Sequence, residues 1–243
     1  MRSETLPVKN VLRLSTAGEQ LVKRASGVPA IGVIYGATGY GKTTAVDWYC
    51  NKTQAVYVRA RASWTPASMV GSIAKELRLP PGGSCDNLVE KIIERLSFSN
   101  RPLFIDEADY VVDSKKMTEM LRDIHDVATV PVVLIGMAKI LQKLQAREQF
   151  TGRILKSVEF FPLDMDDARK VAKLCEVEIR EDLLVKVHAD AKGACRNIIV
   201  SLSEAERIAQ ARGLNAIGLA ELGGKATKLF TGAAPAPAIA AAA

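Results

Sequence analysis

The run Gly36-Ala37-Thr38-Gly39-Tyr40-Gly41-Lys42-Thr43 constrains this chain more than any other stretch. It sets four spacer residues between two glycines and follows them with Lys and Thr, the phosphate-loop pattern. Ile31-Gly32-Val33-Ile34-Tyr35 reads as a short buried strand feeding the loop, and Thr44-Ala45-Val46-Asp47-Trp48-Tyr49 can begin a helix. Glycines let the backbone fold around an anion, so that consecutive N–H groups and a helix N-terminus point at phosphates. In that arrangement Lys42 reaches the β- and γ-phosphates and the Thr43 hydroxyl ligates Mg²⁺. A glycine-rich turn with an exposed lysine is the simpler alternative, but strand, loop and helix signals agree on the loop. The expectation is a nucleoside triphosphate site formed by Gly36, Ala37, Thr38, Gly39, Tyr40, Gly41, Lys42, Thr43 and Thr44.

A second element bears on the fate of the nucleotide. Pro102-Leu103-Phe104-Ile105-Asp106-Glu107 is an apolar strand that ends in two carboxylates. Beside a phosphate loop, the strand-end Asp106 holds the Mg²⁺ shell and Glu107 can polarise an attacking water. Acidic residues also cap helices after strands, and Asp109 can do so here. The pairing of the two motifs favours hydrolysis, with Glu107 and Lys42 as catalytic residues. A small-molecule kinase shares the loop but has less use for a water-positioning Glu.

Five apolar runs, at 31–35, 55–60, 102–106, 131–136 and 157–161, alternate with helical stretches and predict a parallel sheet covered on both faces. Helices are expected from Thr65-Pro66 to Leu77, from Ser84 to Leu96 and from Lys116 to Ala128. After Phe161-Pro162-Leu163 no strand is evident and short helices follow, at 165–175, 181–190, 194–212 and 216–222. The expected organisation is a flexible segment at 1–14, an α/β nucleotide-binding domain at 15–162, an all-helical lid at 163–228 and a disordered Ala/Pro-rich tail at 229–243. A further helix is expected over Ser15 to Ser26.

At 243 residues and 48% hydrophobic content the chain can bury a core, and its net charge of +6 is compatible with a polyanionic partner. The four cysteines form no CxxC pair and His125 and His188 stand alone, so a metal centre built on them is not expected. No apolar run approaches a membrane span, and the expectation is a soluble, cytoplasmic protein without membrane contact.

A phosphate-loop α/β domain followed by a helical lid resembles the AAA+ ATPases. Phe161-Pro162-Leu163 with Asp164-Met165-Asp166-Asp167-Ala168 is similar to that family's passage from the last core strand into the lid. Gly193-Ala194-Cys195-Arg196-Asn197-Ile198-Ile199 resembles the lid motif whose arginine, here Arg196, reaches the γ-phosphate. Gly152-Arg153-Ile154 resembles the place of an arginine finger that enters a neighbouring subunit's site. Arg147 is the competing candidate. The resemblance implies ATP and Mg²⁺ as ligands. Thr65-Pro66 and the Gly136-Met137 ending of the fourth strand look most like the DNA-transposition target-selection ATPases of the bacteriophage Mu transposition protein B type. That likeness implies a ring or filament on double-stranded DNA, a transposase as partner and a bacterial host cytoplasm as setting. In such rings the loops carrying Arg59, Arg61, Trp64, Lys115 and Lys116 can face DNA and bind its phosphates without reading sequence. A replicative helicase loader or initiator, and a nucleotide-switched protein-binding regulator without DNA contact, are the alternatives. Many AAA+ proteins end the fourth strand with a polar residue that senses the γ-phosphate, so Gly136-Met137 implies slow hydrolysis.

Overall fold

Short apolar runs form five parallel strands: β1 (Ile31–Tyr35), β2 (Val56–Arg59), β3 (Leu103–Asp106), β4 (Val132–Gly136) and β5 (Ile154–Glu159), in the order β2-β3-β4-β1-β5. The computed structural model describes residues 1–222 apart from position 3. The end of the expected lid at 223–228 and the expected tail at 229–243 lie outside the described residues. Every residue of β3 and β4 is buried, as strands covered on both faces require. β5 begins earlier than the sequence predicts and meets β1 with a register shift between Ile31 and Gly32.

The chain divides into two compact units, Pro7–Phe161 and a second that joins Met1–Leu6 to the chain from Pro162 onward. In the first, helices α1 (Lys9–Val22), α2 (Lys42–Thr53), α3 (Pro66–Glu76), α4 (Cys85–Ser99), α5 (Asp109–Val112), α6 (Lys115–Ala128), α7 (Ile140–Gln145) and α8 (Glu148–Thr151) accompany the sheet. Several start where the sequence sets a cap. Thr65 and Ser68 form a reciprocal capping box ahead of α3, and the Ser84 and Ser114 hydroxyls accept from the N–H groups of Asn87 and Met117. Met69, Ile73, Ile92, Leu96, Leu121 and Ile124 bring these helices onto β2, β3 and β4 in one core. Fully burying side chains of this size contributes about 1.5–3 kcal/mol each.

The N-terminal expectation needs correction. Residues 9–14 are helical, not flexible, and α1 ends at Val22. Val11 and Leu14 are buried, and the Asn10 side chain donates to the Phe161 carbonyl at 2.8 Å while accepting from the Phe161 N–H at 3.2 Å. That contact spans 151 residues of sequence and fixes the start of the helix.

In the second unit α9 (Met165–Ala172) is followed by β6 (Glu178–Ile179), α10 (Glu181–Ala191), α11 (Cys195–Ala211), β7 (Ala216–Ile217) and α12 (Leu219–Leu222). Among its described residues the unit is helical except for one short parallel pair, β6 with β7, which was not expected from the sequence. Asp164 caps α9 through the Asp167 N–H. Leu183, Leu184 and Val187 of α10 are buried, as are Ile198 and Leu202 of α11. Ile199, next to the buried Ile198, is 38% exposed.

His125, near the end of α6, is buried and ties that helix to the strands. Its Nδ1 bonds to the Val130 carbonyl at 2.8 Å, and its Nε2 lies 3.4 Å from the Ala30 N–H. The Nδ1–H tautomer satisfies both contacts. Burial lowers the pKa of His125, and Arg24 and Arg153 act in the same direction against the Val130 carbonyl and Asp126. The unfolded chain therefore binds this proton more readily than the folded one, so stability falls as pH drops below about 6.5. Urea midpoints between pH 7.5 and pH 5.5 are expected to decline in wild-type protein and to decline less in His125→Asn.

Candidate active site

β1 lies between β4 and β5, so its carboxyl end opens where chain connections diverge on the two sides, the usual place for a ligand in an open α/β sheet. Gly36 follows with φ +151, and a Cβ there would meet the Phe160 carbonyl oxygen at 2.6 Å. Only glycine lets the chain pass β5 and turn back over the strand end. Gly39 and Gly41 also take positive φ, and Gly41 is the N-cap of α2. The loop thus ends on the N-terminus of a twelve-residue helix, whose first N–H groups have no carbonyl one turn earlier. Lys42 Nζ bonds to the Gly36 and Ala37 carbonyls at 2.8 and 2.9 Å, inside the loop it would share with phosphates.

The strand-end carboxylate comes to the same place. Asp106, 3% exposed, accepts the Thr43 hydroxyl on Oδ2 at 2.9 Å. Oδ2 also accepts the Tyr57 hydroxyl at 3.0 Å, and Oδ1 accepts the Glu107 N–H at 2.8 Å. The two expected metal ligands, Thr43 and Asp106, are therefore in direct contact, separated by the distance of a hydrogen bond that an inserted ion would replace. Hard oxygen donors next to a phosphate cradle suit Mg²⁺. Burial and the Asp106 carboxylate raise the Tyr57 phenol above its ordinary pKa, so it stays protonated and donates. Among the described residues no cluster of three His, Cys, Asp or Glu side chains is placed to hold a metal by itself.

Glu107 stands beside this pair in an unusual backbone conformation, φ +53. A non-glycine residue there costs on the order of 1–3 kcal/mol, strain of a kind found at functional sites. Its side chain is 38% exposed and its Oε1 lies 3.0 Å from Arg59 Nη2. Arg59, expected to face DNA, is thus engaged with the candidate catalytic carboxylate. The cause is the register of the sheet, which sets Arg59 opposite Asp106. Trp64 also departs from expectation, because its half-buried ring packs against the core. Arg61, Lys115 and Lys116 are exposed.

The end of β4 carries no polar side chain of its own but meets one from β3's loop. Asp109 accepts the Met137 N–H on Oδ2 at 2.7 Å, and a Cβ on Gly136 would come within 2.4 Å of that oxygen. Gly136 is what lets this carboxylate close on the strand end. Asp109 is the first residue of α5 and serves β4, not the helix cap proposed for it.

Arg153 precedes β5 at the opposite end of the sheet. Its carbonyl accepts from the Ile31 N–H, at the start of β1, whereas the phosphate loop follows the end of β1. Five strand residues separate the two levels by about 15 Å. The guanidinium is held by Asp126, through Nε at 2.7 and 2.8 Å and Nη2 at 2.6 Å, and donates from Nη1 to the Gln149 carbonyl at 2.6 Å. An open cavity of about 340 Å³ lies beside it, lined by Arg24, His125, Asp126 and Thr129 among others. Arg147, the competing candidate, donates inward to the Val112 carbonyl at 2.6 Å. Arg196 is exposed at the second position of α11, in the other unit.

Sequence reasoning missed two partners, Tyr57 for Asp106 and Asp126 for Arg153. Tyr57 was within reach, since it lies two residues before Arg59 on an expected strand and shares its face. Asp126 carried no signal, being one of several acids on an amphipathic helix.

Comparison with known proteins places this geometry. The AAA domain family matches residues 26–144. No curated protein matches the chain. Among solved structures, the Aeropyrum pernix ORC2 protein in ADPNP and ADP complexes is similar with a TM-score of 0.77 at 16% identity, over 96% of this chain and 71% of that one. Cdc6p from Pyrobaculum aerophilum gives a TM-score of 0.69 at 21% identity, over 96% of this chain and 70% of that one. The Aeropyrum pernix ORC1 protein in complex with DNA gives 0.63 at 20% identity, over 93% of this chain and 66% of that one. At these identities the likeness is one of fold. Residues 26–144, from the turn before β1 into α7, match the AAA domain family, and the five-stranded sheet with its helices has the AAA+ fold.

Proposed function

We propose that this chain is an ATP-hydrolysing switch whose copies assemble on duplex DNA. The observation that carries the reading is the Thr43–Asp106 contact at the mouth of the phosphate loop, with Glu107 strained beside it. Lys42 would leave the Gly36 and Ala37 carbonyls for the phosphates, and the loop N–H groups would hold the remaining oxygens. Thr43 and Asp106 would hold Mg²⁺, which would supply positive charge to offset that of the phosphates. Glu107 would accept the proton of the attacking water. Arg153 cannot span the strand length to its own phosphate loop, so its role is to complete the site of a second copy. Arg196 keeps the γ-phosphate contact that the family resemblance gives it.

Arg59 holds the Oε1 of Glu107, and its release would free that oxygen as well for a water. With side-chain exposures of 60% and 38%, that ion pair is a surface one, stabilised by no more than about 1 kcal/mol. Phosphates arriving at the loop after β2 can compete for Arg59, which would couple DNA engagement to turnover. Arg61 in that loop, and Lys115 and Lys116 beyond β3, supply the remaining charge. β2 and β3 are neighbours, so both loops leave the same end of the sheet.

The finer reading, delivery of target DNA to a transposase in a bacterial cytoplasm, rests on Thr65-Pro66 and Gly136-Met137. A helicase loader or initiator is the second reading, favoured by the fold likeness to the ORC and Cdc6 proteins. Fluorescence anisotropy of labelled duplex and single-stranded oligonucleotides, with ATP, ADP or no nucleotide, tests the proposal. Sequence-independent duplex binding is expected with ATP only. If Arg61, Lys115 and Lys116 each neutralise one phosphate, affinity should fall about 40-fold between 50 and 200 mM salt. A preference for the single strand would favour the loader, and binding that ignores nucleotide, or its absence, would remove DNA from the account.

A further inference from the structure

One face of β2 serves both carboxylates at the end of β3. Tyr57 and Arg59 are two residues apart and project to the same side of the strand. Arg59 reaches Glu107, and the Tyr57 hydroxyl donates to Asp106 Oδ2 at 3.0 Å. Three groups hold the Asp106 carboxylate: Tyr57 and Thr43 on Oδ2, and the Glu107 N–H on Oδ1. Thr43 is the side chain that the nucleotide reading commits to Mg²⁺. Once it turns to the ion, Tyr57 and the Glu107 amide remain, one on each oxygen, and together they fix the carboxylate plane. Without Tyr57 a single donor is left, and the carboxylate is free to rotate about its side-chain bond.

We infer that Tyr57 is a positioning residue for the metal, orienting Asp106 toward it without touching metal or nucleotide. The inference rests on the nucleotide reading above and adds a role that neither sequence motif contains. Partners that orient a metal's ligands typically change metal affinity by about 10–100-fold when removed. The loss should appear in the metal dependence of nucleotide binding, not in nucleotide binding itself.

The test is Tyr57→Phe, which keeps the ring and removes only the hydroxyl. Binding of a fluorescent ADP is followed across a Mg²⁺ titration and again in EDTA. The half-saturating Mg²⁺ concentration is expected to rise about tenfold, with the affinity in EDTA unchanged. In an Asp106→Asn background the same substitution should add nothing, because the group it orients is gone. A Mg²⁺ titration that superimposes on the wild-type curve would overturn the inference, as would an equal shift in the Asp106→Asn background. If wild-type protein binds no ADP, the nucleotide reading falls and the role of Tyr57 falls with it; if it binds ADP with no Mg²⁺ effect, the nucleotide reading stands and the inference is overturned.

Discussion

Glu107→Gln is expected to hold ATP as wild-type protein does and to lose turnover by about 10²–10⁴-fold, the contribution of a positioned general base. The substitution preserves size and the ability to hydrogen bond, but an amide cannot take the proton of the attacking water. Binding should survive because Glu107 is no part of the phosphate cradle. Lys42, Thr43 and the loop glycines are, and Glu107 reaches them only through Asp106, whose Oδ1 accepts its N–H. The strained backbone at φ +53 belongs to the position and should persist in the variant, so a loss of fold does not mimic the result. Steady-state phosphate release together with equilibrium ATP binding checks both halves. Turnover within a few-fold of wild type would take the general-base role away from Glu107.

Arg153→Ala is expected to cost turnover on a similar scale, about 10³-fold or more for a charge that stabilises the transferring phosphoryl group from a neighbouring subunit. ATP binding by a single protomer should not change, since Arg153 lies at the far end of β1 from the phosphate loop. The structure also shows what the arginine must give up. Its bonds to Asp126 form a partly exposed ion pair, with side-chain exposures of 33% and 34%, and such pairs are worth about 1 kcal/mol or less. A terminal phosphate in a partner's site carries up to about two negative charges against the one on Asp126, so the exchange becomes favourable only once nucleotide is bound next door. ATP would then be the signal for assembly.

The parts of this molecule that read well from sequence are those whose cause is local. The loop glycines, the helix behind them, the helix starts at Thr65 and Ser84 and the buried strands all follow from residues within one or two turns of each other. What did not read is set by contacts across the sheet or the chain. The start of α1 depends on Asn10 holding Phe161, and β6 and β7 are too short to carry a pattern. Arg59 looked like a free cation because its partner, Glu107, comes from a neighbouring strand. Trp64 was expected to face DNA because a tryptophan after a strand does not declare which way its ring turns. The same limit applies to Arg153, for which the sequence supplied the place but not Asp126.

A mixing experiment tests the shared site most directly. Lys42→Ala protomers lack a phosphate-binding lysine but carry Arg153, and Arg153→Ala protomers carry the complementary half. Each alone should be nearly inactive in ATP hydrolysis. Mixed in equal amounts with duplex DNA, they should recover about a quarter of wild-type turnover, the share of head-to-tail contacts that bring the two intact halves together. A mixture no more active than its components would contradict a site completed by a second copy.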